Sequence, residues 1–325
     1  MPKCTDGTVE FGRVGRRVVE AAFDGGDIVS DGGVLLLQRV DERLGLTRAA
    51  ALALGDERRS ASVQHSVHSL LAQRIYGLCL GWSDVCDHNV LRHDLVMQTA
   101  VGRAEPLASA PTLSRLETAA TPEHAAALHE VLMQQFIASH AKPPKELVLD
   151  VDATHVPLHG EQERGNFHAY YDNYCFLPLY VFAGQDMLAC VLRPSDRDPA
   201  SVVSALIKRL MVPLRRAWPR TKIVVRADSG FCRPRVLQRL ERWGVSYIIG
   251  LQKNARLTQQ VELAELALAD RYAATMTKQR MFGEFPYAAH TWDKERRVIA
   301  RLEHGEQGAN PRFIVTDLPG SPKAL

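Results

Sequence analysis

The sequence predicts an α/β protein: a mixed sheet with flanking helices, a helical region before it and a β-rich region after it. Three observations carry this prediction. Apolar residues recur at helical spacing through about the first 140 residues, and short strand-like runs begin at residue 145. Strand and helix patterns then alternate until strand patterns close the chain. The expected division is 1–144 as a mainly helical region, 145–257 as the α/β core and 258–325 as a β-rich insertion.

The helical region reads as follows. "SDGGVLLLQRVDERLGL" offers Ser30 or Asp31 as a cap and an apolar face through Val34, Leu37, Val40 and Leu44. "SVQHSVHSLLAQRIYGLCLGWSD" is a second helix, stopped at Gly81, and Ser83 or Asp84 caps a short one into "VCDHNVLRHD". In "PTLSRLE", Thr112 or Ser114 is the expected cap, with Glu117 at capping-box spacing from Ser114. "TPEHAAALHEVLMQQFIASHA" is a long helix with Thr121 as cap and Pro122 at its first position, ended by "KPP" at 142–144.

From residue 146 the pattern changes. "ELVLDVDAT" is a strand, and "NYCFLPLYVFAG" and "DMLACVLRP" are two more, joined at Gly184 and Gln185. "DPASVVSALIKRLMVPLRRAW" is a helix with Asp198 as cap and Pro199 at its first position. "TKIVVRAD", "RPRVLQRLERWG" and "VSYIIGL" form a strand–helix–strand unit. "FGEFPYAAHTW", "RRVIARLEH" and "PRFIVTDL" read as three antiparallel strands, a β-rich appendage on the core.

Composition narrows the function classes. Apolar residues make up 46% of the 325-residue chain, enough for a sizeable core, and net charge is only +3. Basic clusters at Arg13, Arg16 and Arg17, at Lys208 and Arg209, and at Arg215 and Arg216 read as solvated faces. Cys4, Cys79, Cys86, Cys175, Cys190 and Cys232 form no CxxC pair, the usage of a reduced, cytoplasmic protein. The N-terminal stretch lacks the apolar run of a signal peptide, and no run approaches the ~18 apolar residues of a membrane span. His65, His68, Cys79, Cys86, His88 and His93 fit no common zinc spacing and read as packed or solvated side chains.

The chemistry concentrates in "KELVLDVDATHV". Asp150 and Asp152 alternate with Val151, so both carboxylates share one strand face, roughly 7 Å apart. Such a pair is costly unless something positive sits beside it. Asp228 in "VVRADSGF" ends another strand, where open α/β sheets place their sites. If these strands are neighbours, Asp152 and Asp228 converge, a donor set suited to Mg²⁺ with Mn²⁺ as the alternative. The bland alternative for Asp228 is a turn former or cap. A third, an acid and nucleophile pair of a glycosidase, calls for a sugar cleft that only the aromatic run 167–176 offers.

"FDGGDIVSDGGVLLL", "HNVLRHD", "LASAPTLSRLE", "LDVDAT" and "RADSGF", in this order, resemble the DDE transposases of bacterial insertion sequences. The similarity is to the branch whose ribonuclease-H-like core carries a β-strand insert, and it runs from Phe23 to Leu318. The resemblance implies that Asp152, with Asp150 as rival, is the first catalytic aspartate and Asp228 the second. It also implies a Mg²⁺ pair, cleavage at transposon ends and strand transfer to target DNA. The branch's third acid, a glutamate on a helix after the insert, is not matched: Glu284, Glu295, Glu303 and Glu306 fall in expected strands or turns. The expectation is a transposase or truncated transposase, with a non-catalytic DNA-binding remnant or an inhibitor of a full-length transposase as the alternative.

Double-stranded DNA, as transposon ends and target, is the expected partner, with homo-oligomerisation left open and no membrane. The family uses its N-terminal helical region to hold transposon ends, which singles out Arg74 and Arg92, with His88, His93 and Arg103 near them. Arg115 is a further candidate for phosphate, against its capping-box neighbourhood. Arg226 and Arg233 flank Asp228 and suit phosphate, with surface ion pairs as the alternative. Lys253 and Asn254 lie just past a core strand, and the rings of "FHAYYDNYCF" suit either base stacking or core packing.

Overall fold

The computed structural model describes residues 9–14, 17–21, 31–59, 61, 63–196, 198 and 200–325. Ser30, Pro199, Cys4, Arg16 and most of "FDGGDIVSDGG" lie outside the described residues. The chain forms two compact units, Met1–Val131 and Leu132–Leu325.

The first unit has an antiparallel pair, β1 (Val9–Val14) and β2 (Arg17–Ala21), followed by helices. These are α1 (Val34–Leu44), α2 (Leu46–Leu54), α3 (Val67–Cys79), α4 (His88–Leu91), α5 (Leu95–Val101) and α6 (Ala110–Thr118), and the start of α7 (Pro122–Ser139). Gly45, at φ 65°, makes the corner between α1 and α2, a conformation that favours glycine. Ser66, Asp84 and Asp94 accept backbone N–H bonds at the starts of α3, of the turn Val85–Asp87 and of α5. Val34, Tyr76, Met97 and Leu107 centre the core.

Two local expectations are corrected here. On the expected α1 face only Val34 is buried, while Val40 and Leu44 are exposed. The capping box in "PTLSRLE" does not form, because α6 starts at Ala110 after Ser109 and encloses Thr112 and Ser114. Glu117 instead accepts from Arg74 Nε at 2.6 Å. His88 is fully buried, its ring filling the space where a Cβ on Gly77 would lie 2.7 Å from His88 Cε1.

The second unit is built on a nine-stranded mixed sheet. Its chain order is β3 (Glu146–Ala153), β4 (Val156–Pro157), β5 (Asn166–His168), β6 (Asn173–Phe176), β7 (Leu179–Ala183), β8 (Asp186–Val191), α8 (Ala200–Ala217) and β9 (Lys222–Ala227). Then come α9 (Pro234–Arg242), β10 (Ser246–Leu251), α10 (Ala255–Thr275), β11 (Gln279–Tyr287), β12 (Arg296–Gly305), β13 (Gly308–Ala309) and β14 (Arg312–Thr316). The spatial order is β11-β12-β14-β10-β9-β3-β7-β8, with β13 on β12. β9 is parallel to both β3 and β10, and the other pairings are antiparallel. The C-terminal strands thus continue the core sheet through β14 on β10. This mixed α/β architecture is the expected one and is consistent with a ribonuclease-H-like core.

Two features go beyond the sequence reading. The run "NYCFLPLYVFAG" is not one strand: it breaks at Leu177 and Pro178, and β6 joins a separate small sheet, β4-β6-β5. Within the region read as β-rich, Ala255–Thr275 is a helix, capped by Asn254, whose Oδ1 accepts from Leu257 N at 3.1 Å.

Strand alternation gives the sheet two unlike faces. Leu147, Leu149, Val151, Ile223, Val225, Tyr247, Ile249, Val298 and Ala300 share one core with Ile207 of α8, Leu237 of α9 and Val261 of α10. Of the residues between them, Asp150, Asp152, Arg226, Ile248, Gly250, Arg301 and Ile314 are half-buried or exposed, while Val224 and Ile299 are buried. No described helix is long and apolar enough to cross a membrane.

Candidate active site

The β3–β9 pairing places charges level by level on the polar face. Glu146 stands opposite Lys222, Val148 opposite Val224 and Asp150 opposite Arg226. Lys222 Nζ lies 2.8 Å from Glu146 Oε2. Arg226 donates from Nε and Nη2 to the two oxygens of Asp150 at 2.5 and 2.8 Å, a two-pronged contact. The positive partner that Asp150 requires is therefore built into the next strand.

One level further the pattern changes. The register ends at Val151 opposite Ala227, so Asp152 and Asp228 come next, acid beside acid on strands ~4.8 Å apart. Each is exposed, and among the described residues neither is in an ion pair. Asp152 Oδ1 accepts from Ala153 N at 2.9 Å, and Asp228 Oδ1 from Gly230 N at 2.8 Å. The second contact caps the turn Ser229–Phe231, so the capping reading of Asp228 holds locally, without using its other oxygen.

The surroundings come from three elements. Tyr171, on the β5–β6 turn, stacks on His155 at 4.1 Å, and His155 Nε2 lies 2.9 Å from Asn173 Oδ1. Burial, reinforced by the negative fields of Tyr170, Asp152 and Asp228, holds the Tyr171 hydroxyl above the ordinary tyrosine range. On the other side β10 passes close to the second aspartate. A Cβ on Gly250 would lie 2.8 Å from Ser229 N and 3.1 Å from the Asp228 carbonyl carbon. The sequence reading passed over Gly250 and His155. The signal for the first was a glycine inside a strand, which marks close backbone approach.

Beside Asp228 opens a cleft of roughly 290 Å³ lined by Ser229, Cys232, Arg233, Lys253, Asn254 and Trp292, among others. Lys253 is exposed, and Arg233 Nε donates to Asp198 Oδ2 at 3.0 Å. Burial pushes the Cys232 thiol up to about 11, so it stays protonated and unreactive. Thus Arg226 and Arg233 both stand in ion pairs, the alternative weighed for them.

The remaining DNA-binding candidates belong to the first unit. Arg74 is committed to Glu117 and to the carbonyls of Ser83 and Trp82. Arg92 is half-buried, and Arg115 is exposed with Nη2 3.2 Å from Thr112 Oγ1. Glu284 is bound by Arg297, and Glu303 lies beneath Lys278 and Arg280. Among the described residues no three His, Cys, Asp or Glu side chains gather where they could hold a metal ion. The two aspartates are a pair.

The chain matches the family model described as Transposase DDE domain group 1 over residues 11–325. No curated protein matches it.

Proposed function

The chain belongs to the DDE transposase family of that group, and from this premise we propose that it cleaves and transfers DNA strands at the level where Asp152 faces Asp228. The observation that carries the reading is the charge ladder. Two levels of the β3–β9 pairing match acid with base, and just past its last paired level, Val151 with Ala227, an acid follows on each strand. Two exposed carboxylates, each aimed by one backbone N–H, fit a hard divalent cation that takes oxygen donors. Such a cation supplies Lewis-acid stabilisation of the phosphoryl oxygens when bound.

The chain's own residues do the rest. Asp152 and Asp228 hold the cation, and Arg226 keeps Asp150 engaged, which favours Asp152 over Asp150 as the first acid. Tyr171, its hydroxyl kept protonated, walls the site on the side of the small sheet. Lys253 and Arg233 line the cleft where the phosphodiester backbone enters. In this reading residues 1–144, with Arg74, Arg92 and Arg115, hold DNA, 145–257 form the catalytic core and 258–325 are its insertion.

A second reading is favoured by the pairing itself. Two carboxylates hold a cation loosely where, among the described residues, no third donor gathers with them, which suits a protein that occupies DNA ends without cleaving them. Isothermal titration with Mg²⁺ and Mn²⁺, alongside cleavage of duplexes from the DNA flanking the coding frame, separates the two. Cation binding lost in both Asp152→Ala and Asp228→Ala supports the site. Equal binding in wild type and both variants overturns it, and cation binding with DNA binding but no cleavage supports the second reading.

A further inference from the structure

We propose that the polar face of the C-terminal strands, around Arg301 and Arg312, is a docking surface for the phosphodiester backbone of double-stranded DNA leading to the acid pair. This rests on the proposed function, and it names a surface that reading does not include.

The register puts two guanidinium groups against each other. Arg301 on β12 stands directly opposite Arg312 on β14, and Arg280 on β11 stands opposite Glu303. Like charges at opposed positions destabilise a strand pair, so this arrangement is not explained by the sheet's own stability. Among the described residues Glu303 is the one acid that pairs with these cations, and its oxygens are engaged, while Glu284 on the same face is held by Arg297. Glu303 Oε2 is 3.2 Å from Lys278 Nζ, and Oε1 is 2.6 Å from Arg280 Nη2. Arg301 Nε is left at 3.7 Å from that carboxylate, and Arg312 has no ion pair among the described residues. Four cations against one nearly buried carboxylate leave an excess of three positive charges. The next acid along the chain, Glu306, sits in the turn beyond the strand pair.

The same register connects this patch to the aspartates. Ile249 pairs with Ala227, so Gly250 comes level with Asp228; Gly250 pairs with Ile314, and Ile314 with Ile299. Paired residues share a face, so Asp152, Asp228, Gly250, Ile314 and Ile299 lie in one line across the sheet. Arg301 and Arg312 stand two residues along from that line on the same face. By strand spacing and rise they lie roughly 12–16 Å from Asp228. That span covers about four base-pair steps at ~3.4 Å each. Arginine suits the partner, since its planar fork matches phosphate oxygens.

The test is duplex binding by the full chain, followed by fluorescence anisotropy across a salt series, for wild type and for Arg301→Gln/Arg312→Gln. The double variant is expected to bind on the order of tenfold more weakly at 0.1 M salt, and the log–log salt slope to fall by about 2, because two fewer phosphates are neutralised. A control with equal charge loss, Arg216→Gln/Arg220→Gln, should keep the wild-type slope. Wild type that binds while the double variant matches it overturns this inference alone, as does a control that weakens binding equally. Wild type that binds no duplex overturns the DNA-handling reading itself. Capture of polyglutamate but not duplex, dependent on both arginines, assigns the face to an acidic protein and also overturns the inference. A circular-dichroism melt unchanged in the double variant keeps misfolding from mimicking the expected result.

Discussion

Leu149, Val225, Tyr247 and Val298 lie at or near zero exposure on one face of the nine-stranded sheet. One residue along each strand, Asp150, Arg226, Ile248 and Arg297 stay partly in water on the other. The strands are the same and so is the backbone ladder; only the parity of position differs. Period-two alternation thus lets each strand carry core residues on one parity of position and charged residues on the other. Stability and function are therefore separable here at single-residue spacing, and substitutions can test how cleanly.

The largest effect is expected at the acid pair. Asp228→Ala should lower any cation-dependent strand cleavage at least about a thousandfold, ~4 kcal/mol in the barrier, with the melting temperature nearly unchanged. A large drop in melting temperature would break the separation of the faces. Leu149→Ala, on the core face of the same strand, should do the converse, costing about 2–5 kcal/mol in urea unfolding. Gly250→Ala is the case that blurs the two. Its Cβ meets backbone rather than a movable side chain, so about 1–3 kcal/mol of strain and weaker cation binding should appear together. Smallest is Arg226→Gln. Its ion pair with Asp150 is well exposed, so unfolding should change by less than about 1 kcal/mol. Cation titration should nonetheless show altered affinity, because Asp150 is then an unneutralised neighbour of Asp152.

Local chemistry made part of this legible in advance. Thr121 before Pro122, Asp198 before α8, and the alternation Asp150-Val151-Asp152 each announce their element with a few adjacent residues. What escaped was either blurred or non-local. α10 turns Leu257, Val261 and Leu268 inward but leaves Leu263 and Leu266 in water, so its apolar stripe is smeared around the helix. The partnership of Asp150 with Arg226 joins residues 76 apart and exists only once β3 and β9 pair in parallel. Arg301 against Arg312 likewise needs a register that no short window of sequence contains. That the strands ending near Asp152 and Asp228 are neighbours appears only in the sheet order.

The charge ladder also bears on how the chain finds its fold. A slip of one residue between β3 and β9 would set Glu146, Asp150 and Asp152 out of step with Lys222 and Arg226. Turning β3 over by one position would press those carboxylates into the space of Leu147, Leu149 and Val151. The second error buries charges without their counterparts, a penalty of several kcal/mol per group; the first only unpairs exposed charges, worth less than about 1 kcal/mol each. Of these arrangements, only the observed register answers the charges of β3 with those of β9 up to the last pair. The charges on the polar face thereby also act as proofreaders of assembly, selecting the strand register that carries them.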